Sequence, residues 1–534
     1  MILCQISTLF DLHVLLGSLR ANGHLDVMPK TLLVSAHSVS PEVPGGLYET
    51  VQKFPDLDKY FSNVVSLNKI IAPVHPQKWE VDGNEPKRLS AGSLLLAALG
   101  LETVEQLYVE SIQTPPANTL VQLLPAARIN VFSDGLMSFS PTRNALPMQV
   151  LSRVDRLFYP DLLPGVTPPL LREAGVELHP LGMEGLRGTF EAMDADGAQD
   201  GSADLQGLPL FLGQYLSALD LMSAEEEIAL YADGLVACAE RAGAKRVAFK
   251  PHPSFSEGML HQLVQAPALS GLDVTVITSS HSLETLLLQS RPAFVASVFS
   301  TGMAMAHAMF GIEAYHFRTE AFFDRLQPWE NSNRVPVMLS ALMYPDLEGR
   351  ETHYPLRAEE VQVKVDLMAA SMQPKTLVPD NSALLKLLGH PMTREDRFER
   401  TARRKLFGYT PKNSLSMEQA ALAGKSWEET RGAPERLRAI DRARLALKAK
   451  DYDMAFEISL EAYQKTPTSS LHVEILEKAA AHLSELNKII AKRARQDLEA
   501  LKQAAEDTPQ ETVLASADRR REVKNAFLRR LRRT

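Results

Sequence analysis

Cysteine is nearly absent from this chain: its 534 residues include only Cys4 and Cys238. Two distant cysteines without metal-ligand spacing make neither a disulfide framework nor a thiolate metal site, and they suit a reducing compartment. Long apolar runs are missing too. The longest, such as residues 94–99, fall far short of the roughly 18 residues that a spanning helix needs. There is no excess of basic residues: 57 Lys and Arg against 65 Asp and Glu give a net charge of −8, which argues against nucleic acid as a partner of the whole molecule. The first ten residues are apolar but lack a basic start, and Asp11 and His13 follow, so they read as a strand entering a helix rather than a signal peptide. The expected location is therefore cytoplasmic. What is present is ordinary globular composition, 45% hydrophobic and 23% charged, in a chain long enough for two or three domains.

Short strand-like runs alternate with helical stretches, the pattern of α/β folds with parallel sheets. The first group of strands is expected at residues 2–7, 31–35, 106–110 and 128–132. Residues 155–169 are rich in proline and turn-like, and residues 194–206 form a polar loop rich in Gly and Asp, which marks a hinge. A second alternation follows: strands at 208–212, 246–250, 274–278 and 294–297, with helices from about Ala224, Ser282 and Thr301. Beyond about Arg394 the pattern is helical. The expected fold class is α/β, a GT-B-like pair of Rossmann-like domains facing across a cleft, followed by an α-helical C-terminal extension. The domains are expected at 1–195, 207–395 and 415–534.

Chemistry is expected where strands end, because ligands of open α/β sheets bind outside the carboxyl edge. The most informative stretch is Lys250-Pro251-His252-Pro253, where an apolar strand ends and two prolines forbid both a further ladder residue and a helix start. A histidine held there is well sited for a phosphate; the plain alternative is a rigid surface loop. Gly213 lets backbone approach a ligand closely, and Gln214 can hydrogen-bond a base or phosphate. Ser282 is a candidate N-cap with Glu284 in the first helical turn, where simple compensation of the helix dipole would also explain the carboxylate. Ser300 and Thr301 open another helix, so their hydroxyls and the backbone amides would point at an anion, or merely cap the helix. Together these groups offer phosphate donors and a carboxylate for ribose, the requirements of a nucleotide site. In the first domain, Ser133-Asp134-Gly135 ends a strand in a tight turn. Asp134 could accept a proton from an incoming hydroxyl, or the sequence could be an ordinary Asp-Gly turn.

The ordered series Ser133-Asp134-Gly135, Leu212-Gly213-Gln214, Lys250-Pro251-His252-Pro253, Ser282-Leu283-Glu284 and Ser300-Thr301 resembles the bacterial sialyltransferases and polysialyltransferases. Those families carry an acidic motif ending in Gly, a His-Pro motif and a Ser-Ser/Thr motif in this order, and the resemblance covers roughly residues 1–330. One position departs: Ser133 stands where the family has its first acidic residue, while Asp134 matches the second. The resemblance implies inverting transfer of a nonulosonic acid, such as sialic acid, from a CMP donor to a hydroxyl of a glycan or glycolipid. No metal and no further cofactor would be involved, and no Asp-x-Asp motif stands at the strand ends. Asp134 would be the base and His252 would stabilise or protonate the departing phosphate. Ser300 and Thr301 would bind that phosphate with Gly213, Gln214 and Lys250 nearby, and Glu284 would hold the ribose.

Two other functions fit parts of the sequence: a CDP-glycerol or CDP-ribitol polymer transferase, and a non-catalytic scaffold using its helical tail. Residues 439–450 and 452–466 are expected to form a helix pair like one tetratricopeptide unit, packed on the catalytic body or on a long amphipathic helix over 469–505. Residues 519–533, from Arg519 to Arg533, gather eight basic side chains around Val523, Phe527, Leu528 and Leu531. This is either a solvated helix or an interfacial one docking on an anionic membrane surface, which would place the enzyme peripherally on the inner face of the membrane.

Overall fold

Why residues 2–6 sit at the centre of a sheet follows from their burial: Ile2, Leu3, Cys4 and Ile6 are all apolar and enclosed, the mark of a parallel strand covered on both faces. The computed structural model describes residues 1–37, 46–54, 56–81, 84–133, 135–194, 205–252, 255–277, 282–349, 356–377 and 397–407. Beyond these it describes 452–465, 470–483 and scattered residues between 443 and 503. The chain forms two compact units, Met1–Leu377 and Val378–Thr534.

The first unit holds two sheets. One contains β1 (Ile2–Ile6), β2 (Lys30–Val34), β3 (Asn63–Ser66), β4 (Gln106–Glu110), β5 (Arg128–Phe132), β6 (Val154–Pro160) and β7 (Glu177–Leu181) in the order β3-β2-β1-β4-β5-β6-β7. The other contains β8 (Pro209–Leu212), β9 (Arg246–Lys250), β10 (Asp273–Val276), β11 (Phe294–Ser297) and β12 (Ala314–His316) in the order β10-β9-β8-β11-β12. All pairings are parallel. The strand order reverses between β1 and β4 in the first sheet and between β8 and β11 in the second, which creates a crevice at each carboxyl edge. The paired Rossmann-like architecture expected from the sequence is the one observed.

Residues 155–169 depart from expectation. Val154–Pro160 is not a turn but an inner strand, with Leu157 and Phe158 fully buried. Pro160 is its last residue, where the absence of an N–H costs the ladder little. β3, β7 and β12 also escaped the sequence reading, being short or, at the first sheet's edges, partly exposed. Most of the hinge segment expected at 194–206 lies outside the described residues.

Two helices join the halves of the unit. The helix Met183–Asp194 packs on the helix Leu9–Ala21 through His13, whose ring stacks on Phe190 at 3.7 Å between centroids, while Thr189 Oγ1 lies 3.4 Å from His13 Nδ1. The helix Ala358–Met372 returns from the second half to the first. Arg172 Nη1 donates to Asp366 at 2.8 Å, the Thr167 N–H donates to Gln362 Oε1 at 2.6 Å, and Gln373 Nε2 donates to the Arg143 carbonyl at 2.8 Å. Arg334, 1% exposed, donates to the carbonyls of Phe323, Leu326 and Trp329 and lies 4.0 Å from the Trp329 ring centroid, so its charge is enclosed by backbone dipoles and aromatic faces.

In the second unit the helices Tyr452–Lys465 and Ser470–Ala480 enclose Phe456, Tyr463, Val473 and Leu476. The single long helix expected over 469–505 is not formed. The helix ends at Ala480, where the His482 and Leu483 amides donate to the carbonyls of Ala479 and Ala480, tightening the turn, and the His482 ring stacks on Tyr452 at 4.0 Å. No Gly or Pro marks this break, so the sequence hid it. The basic tail 519–533 and most of 439–450 lie outside the described residues. Among the described residues no helix is long and apolar enough to cross a membrane.

Burial pushes the His13 imidazole down to about 3. The unfolded chain therefore takes up a proton below its ordinary value of 6.5 that the native protein does not, and stability falls as pH drops from about 6.5 toward 3, by up to about 1.4 kcal/mol per pH unit. Melting temperature followed over this range should show an acid limb that flattens in His13→Leu. An unchanged slope would assign the limb to other groups.

Candidate functional site

The carboxyl edge of the second sheet is built around backbone crossings that only particular residues allow. After β8, Gly213 donates its N–H to the Lys250 carbonyl at 2.9 Å, and a Cβ there would stand 2.9 Å from the Phe249 ring and 3.4 Å from Pro251 Cα. Glycine is thus required to bring the ends of β8 and β9 together. Gln214, buried, accepts the Phe299 N–H on its Oε1 at 2.9 Å, which bridges the switch point between β8 and β11. Its side-chain oxygen is engaged by the protein, a use the sequence did not suggest.

The loop carrying these residues is held from below. Glu227 is fully buried and accepts the Leu216 and Ser217 N–H groups at 2.9 and 2.8 Å and the Tyr231 hydroxyl at 2.7 Å, while Tyr231 in turn accepts the Gln214 N–H at 2.7 Å. Three loop amides are thereby fixed through one carboxylate and one phenol. The Tyr215 ring lies 4.3 Å from the His252 ring, tilted by 39°. Sequence reasoning missed Glu227, Tyr231 and Tyr215. Tyr215 directly follows Gln214, but nothing in the spacing tells that its ring turns toward the histidine.

Lys250 is the last residue of β9 and His252 follows two positions on. Burial pushes His252 down to about 4, and the neighbouring Lys250 charge adds to the effect. Burial also lowers Lys250, opposed by the charge of Glu284. Glu284, 5% exposed in the first turn of the helix Leu283–Gln289, is raised by burial, against which backbone N–H, Ser282 and Lys250 act. The edge thus holds an imidazole pushed toward its neutral form and a buried lysine and glutamate whose charges act on each other, the kind of perturbation that clusters at functional sites.

Ser282 and Ser300 are both N-caps. Ser282 Oγ accepts the Thr285 N–H at 3.2 Å, and Ser300 Oγ accepts the Gly302 N–H at 3.2 Å at the start of the helix Thr301–Phe310. Ser282 Oγ in turn donates to Thr285 Oγ1 at 3.2 Å, whereas the capping role of Ser300 uses only its oxygen as an acceptor. Thr301 reaches the other half of the unit: its Oγ1 accepts the Leu136 N–H at 3.4 Å, and Gly135, at φ +140°, leaves room for it where a Cβ would stand 2.1 Å from Thr301 Cγ2. The turn that ends β5 therefore meets the helix that follows β11, across 165 residues of chain. A second bridge nearby joins Ser140 Oγ to the Ser332 carbonyl at 2.6 Å. Asp134 itself lies outside the described residues. Its neighbour Ser133 is buried and accepts the Ser138 hydroxyl at 2.8 Å.

The carboxyl edge of the first sheet carries further polar groups unnoticed in the sequence. Gln5 Nε2 donates to the hydroxyls of Ser7 and Ser35, each at 3.0 Å, and His37 Nε2 lies 3.3 Å from Ser7 Oγ. Asp11 accepts the Ser7 and Thr8 N–H groups and closes the helix end above them.

Gly135→Ala should cost on the order of 1–3 kcal/mol, because it combines a strained φ with a collision against Thr301. Denaturant unfolding should show part of that cost recovered in Gly135→Ala/Thr301→Ser, where the colliding methyl is gone. Simple additivity of the two substitutions would mean that the two elements do not press on each other.

A search of curated proteins returns no match. Among solved structures, the chain is similar to the GT-B domain of a Photobacterium damselae sialyltransferase, at 11% identity with 64% of this chain and 96% of that one covered and a TM-score of 0.35. It is also similar to MurG of Acinetobacter baumannii, at 11% identity, 72% and 91% coverage and a TM-score of 0.31. A third is UDP-GlcNAc 2-epimerase of Methanocaldococcus jannaschii, at 12% identity, 67% and 95% coverage and a TM-score of 0.38. The family model for alpha-2,8-polysialyltransferase (POLYST) matches residues 3–318, more than half of the sequence and both sheets, and by that match the chain belongs to the alpha-2,8-polysialyltransferase family of glycosyltransferases.

Proposed function

We propose that this glycosyltransferase moves a sialic acid or related nonulosonic acid from a CMP donor to a hydroxyl of a glycan or glycolipid, with inversion at the anomeric carbon. The observation that supports the reading best is the meeting of Gly135 and Leu136 with Thr301, which joins the chain that follows β5 to the helix at the carboxyl edge of the second sheet. A base from one half and a phosphate site from the other can then flank a single sugar carbon.

In this mechanism the acceptor oxygen attacks the anomeric carbon as the bond from that carbon to the CMP phosphate breaks. The acceptor proton passes to Asp134. The phosphate gains negative charge, which Lys250, the hydroxyls of Ser300 and Thr301 and the amides at the start of their helix are suited to stabilise, and His252 supplies a proton or a hydrogen bond. Lys250 and the helix amides meet the charge that a metal would otherwise neutralise, so the reaction is written without one. Glu284 binds the ribose, and Gly213 and Gln214 shape the loop on which the nucleotide rests.

A phosphate placed beside His252 would raise its pKa from about 4. Binding of CMP should therefore take up protons between about pH 4.5 and 6.5, and affinity should improve as pH falls through that range. Calorimetry in buffers of different ionisation enthalpy measures the uptake, which should vanish in His252→Ala; unchanged uptake in that variant would remove His252 from the phosphate. In the same assays Lys250→Met and Glu284→Gln should weaken CMP binding, and the native protein should prefer CMP to UDP and GDP. A preference for CDP with turnover of CDP-glycerol or CDP-ribitol would move the chain to polymer transfer of that kind.

His252→Ala and Asp134→Ala should each cut transfer by on the order of a hundredfold or more with the melting temperature retained. Full activity in either folded variant would defeat the assignment. The proposal extends to location: the tail 519–533 holds the enzyme beside an anionic membrane surface, each basic residue contributing roughly 1 kcal/mol. Truncation after Asp518 should then abolish salt-sensitive binding to vesicles of phosphatidylserine and phosphatidylcholine while transfer to a small soluble acceptor continues. Continued pelleting of the truncated protein would assign the tail another role.

A further inference from the structure

Parallel strands covered on both faces are expected to be apolar throughout, yet a straight polar row crosses the first sheet near its amino edge. The register aligns Tyr108 with Asn130, Asn130 with Arg156, and Arg156 with Glu177, so one residue from each of β4, β5, β6 and β7 stands in line. The alignment depends on an irregularity. Ile129 pairs with Val154 but Asn130 pairs with Arg156, so Asp155 is an extra residue that brings Arg156 into the row. Bulges of this kind are uncommon in parallel pairs and characteristically re-aim side chains near functional sites.

The row is tied to the end of the first helix. Asn22 Nδ2 donates to Tyr108 Oη at 2.5 Å and to Asn130 Oδ1 at 3.3 Å, while Asn22 Oδ1 accepts from Arg156. Tyr108 Oη and His24 Nδ1 lie 2.8 Å apart; in the tautomer where Nδ1 accepts the phenol proton, the ring carries its own proton on Nε2. Burial lowers His24, helped by the charges of Arg156 and Lys30. Asn130, 1% exposed, donates to Gln106 Oε1 at 2.8 Å. Above these groups lies a cavity of about 410 Å³, within the usual range of small-molecule sites.

The lining decides the ligand. Arg156 is matched by Glu177 at 2.9 Å, and Asp155 by Arg128, so no net charge is offered to an anion. What remains is a set of neutral or compensated donors and acceptors: His24 Nε2–H, the Gln106 amide nitrogen and the second oxygen of Glu177. Adjacent strands are spaced by about 4.8 Å, so the row presents polar groups at intervals suited to the hydroxyls of a sugar ring, each both donor and acceptor. We propose that the aligned Tyr108–Asn130–Arg156–Glu177 row, with Asn22 and His24, is a second saccharide site that binds a neutral sugar unit at the amino edge of the first sheet, away from the catalytic edge. The glycosyl-transfer reading enters only in explaining why a saccharide would be at hand: a glycan acceptor carries such units, and a second hold on it would keep it bound between turnovers.

Saturation-transfer NMR and titration of the full chain with methyl α-glucopyranoside, N-acetylglucosamine and lactose, with free sialic acid as the anionic arm, test the proposal. At least one neutral sugar should bind saturably, and His24→Ala and Asn130→Leu should each weaken it about tenfold while CMP binding stays unchanged. His24 is partly exposed, so its variant serves even if Asn130→Leu does not fold. His252→Ala should do the reverse, losing the proton uptake linked to CMP while sugar binding persists, which separates failure of this site from failure of the catalytic assignment. Binding by sialic acid alone, equal sugar affinity in His24→Ala, or no saturable binding of any neutral sugar would each overturn it.

Discussion

The contact between Gly135 and Thr301 is the constraint on which the site depends. Each sheet makes its own crevice, but a group-transfer reaction needs groups from both, and the two carboxyl edges are brought together where a residue without a side chain lets a threonine in. The threonine hydroxyl then accepts a main-chain N–H from the opposite half, so the join is polar and directional rather than a simple apolar touch. The Ser140–Ser332 bond and the crossing helix Ala358–Met372 reinforce the same closure from two other sides.

Around that join, rigidity is obtained with buried polar groups. Glu227 could be an expensive buried carboxylate, but two amides and a phenol satisfy it, and as a result the loop after β8 has little freedom. Gln214 closes the switch point in the same way. Against this fixed frame, burial lowers the pKa of both His252 and Lys250. A nearby anion would oppose that shift in both groups.

Strand-end motifs were legible because proline, glycine and serine at the edge of an apolar run have few other uses: Lys250 and His252, Ser300 and Thr301, and the β5 turn were all visible as positions. Their partners were not. That Gln214 ties to Phe299, or that Tyr215 turns to His252, depends on strands 85 and 37 residues apart being neighbours, which local sequence does not encode. Edge strands were lost for a related reason: Asn63–Ser66 and Glu177–Leu181 lack the continuous burial that makes β1 or β5 obvious. β6 was hidden by the prolines that follow it, and the polar row through Asn130 by a single extra residue in a pairing that no periodicity reveals.

The return of the helix Ala358–Met372 to the first half has a consequence for how the molecule can be divided. Its apolar residues Val361, Val365 and Met368 are buried, while its polar ones reach Thr167 and Arg172. The N-terminal half, taken alone, would lack the partners of Thr167, Arg172 and the Arg143 carbonyl, which the second half supplies from this helix and the residue after it. The contacts between the halves are thus complete only once the chain has been made past Gln373, well beyond the point where the second sheet begins. The enzyme can be bisected in sequence but not in structure.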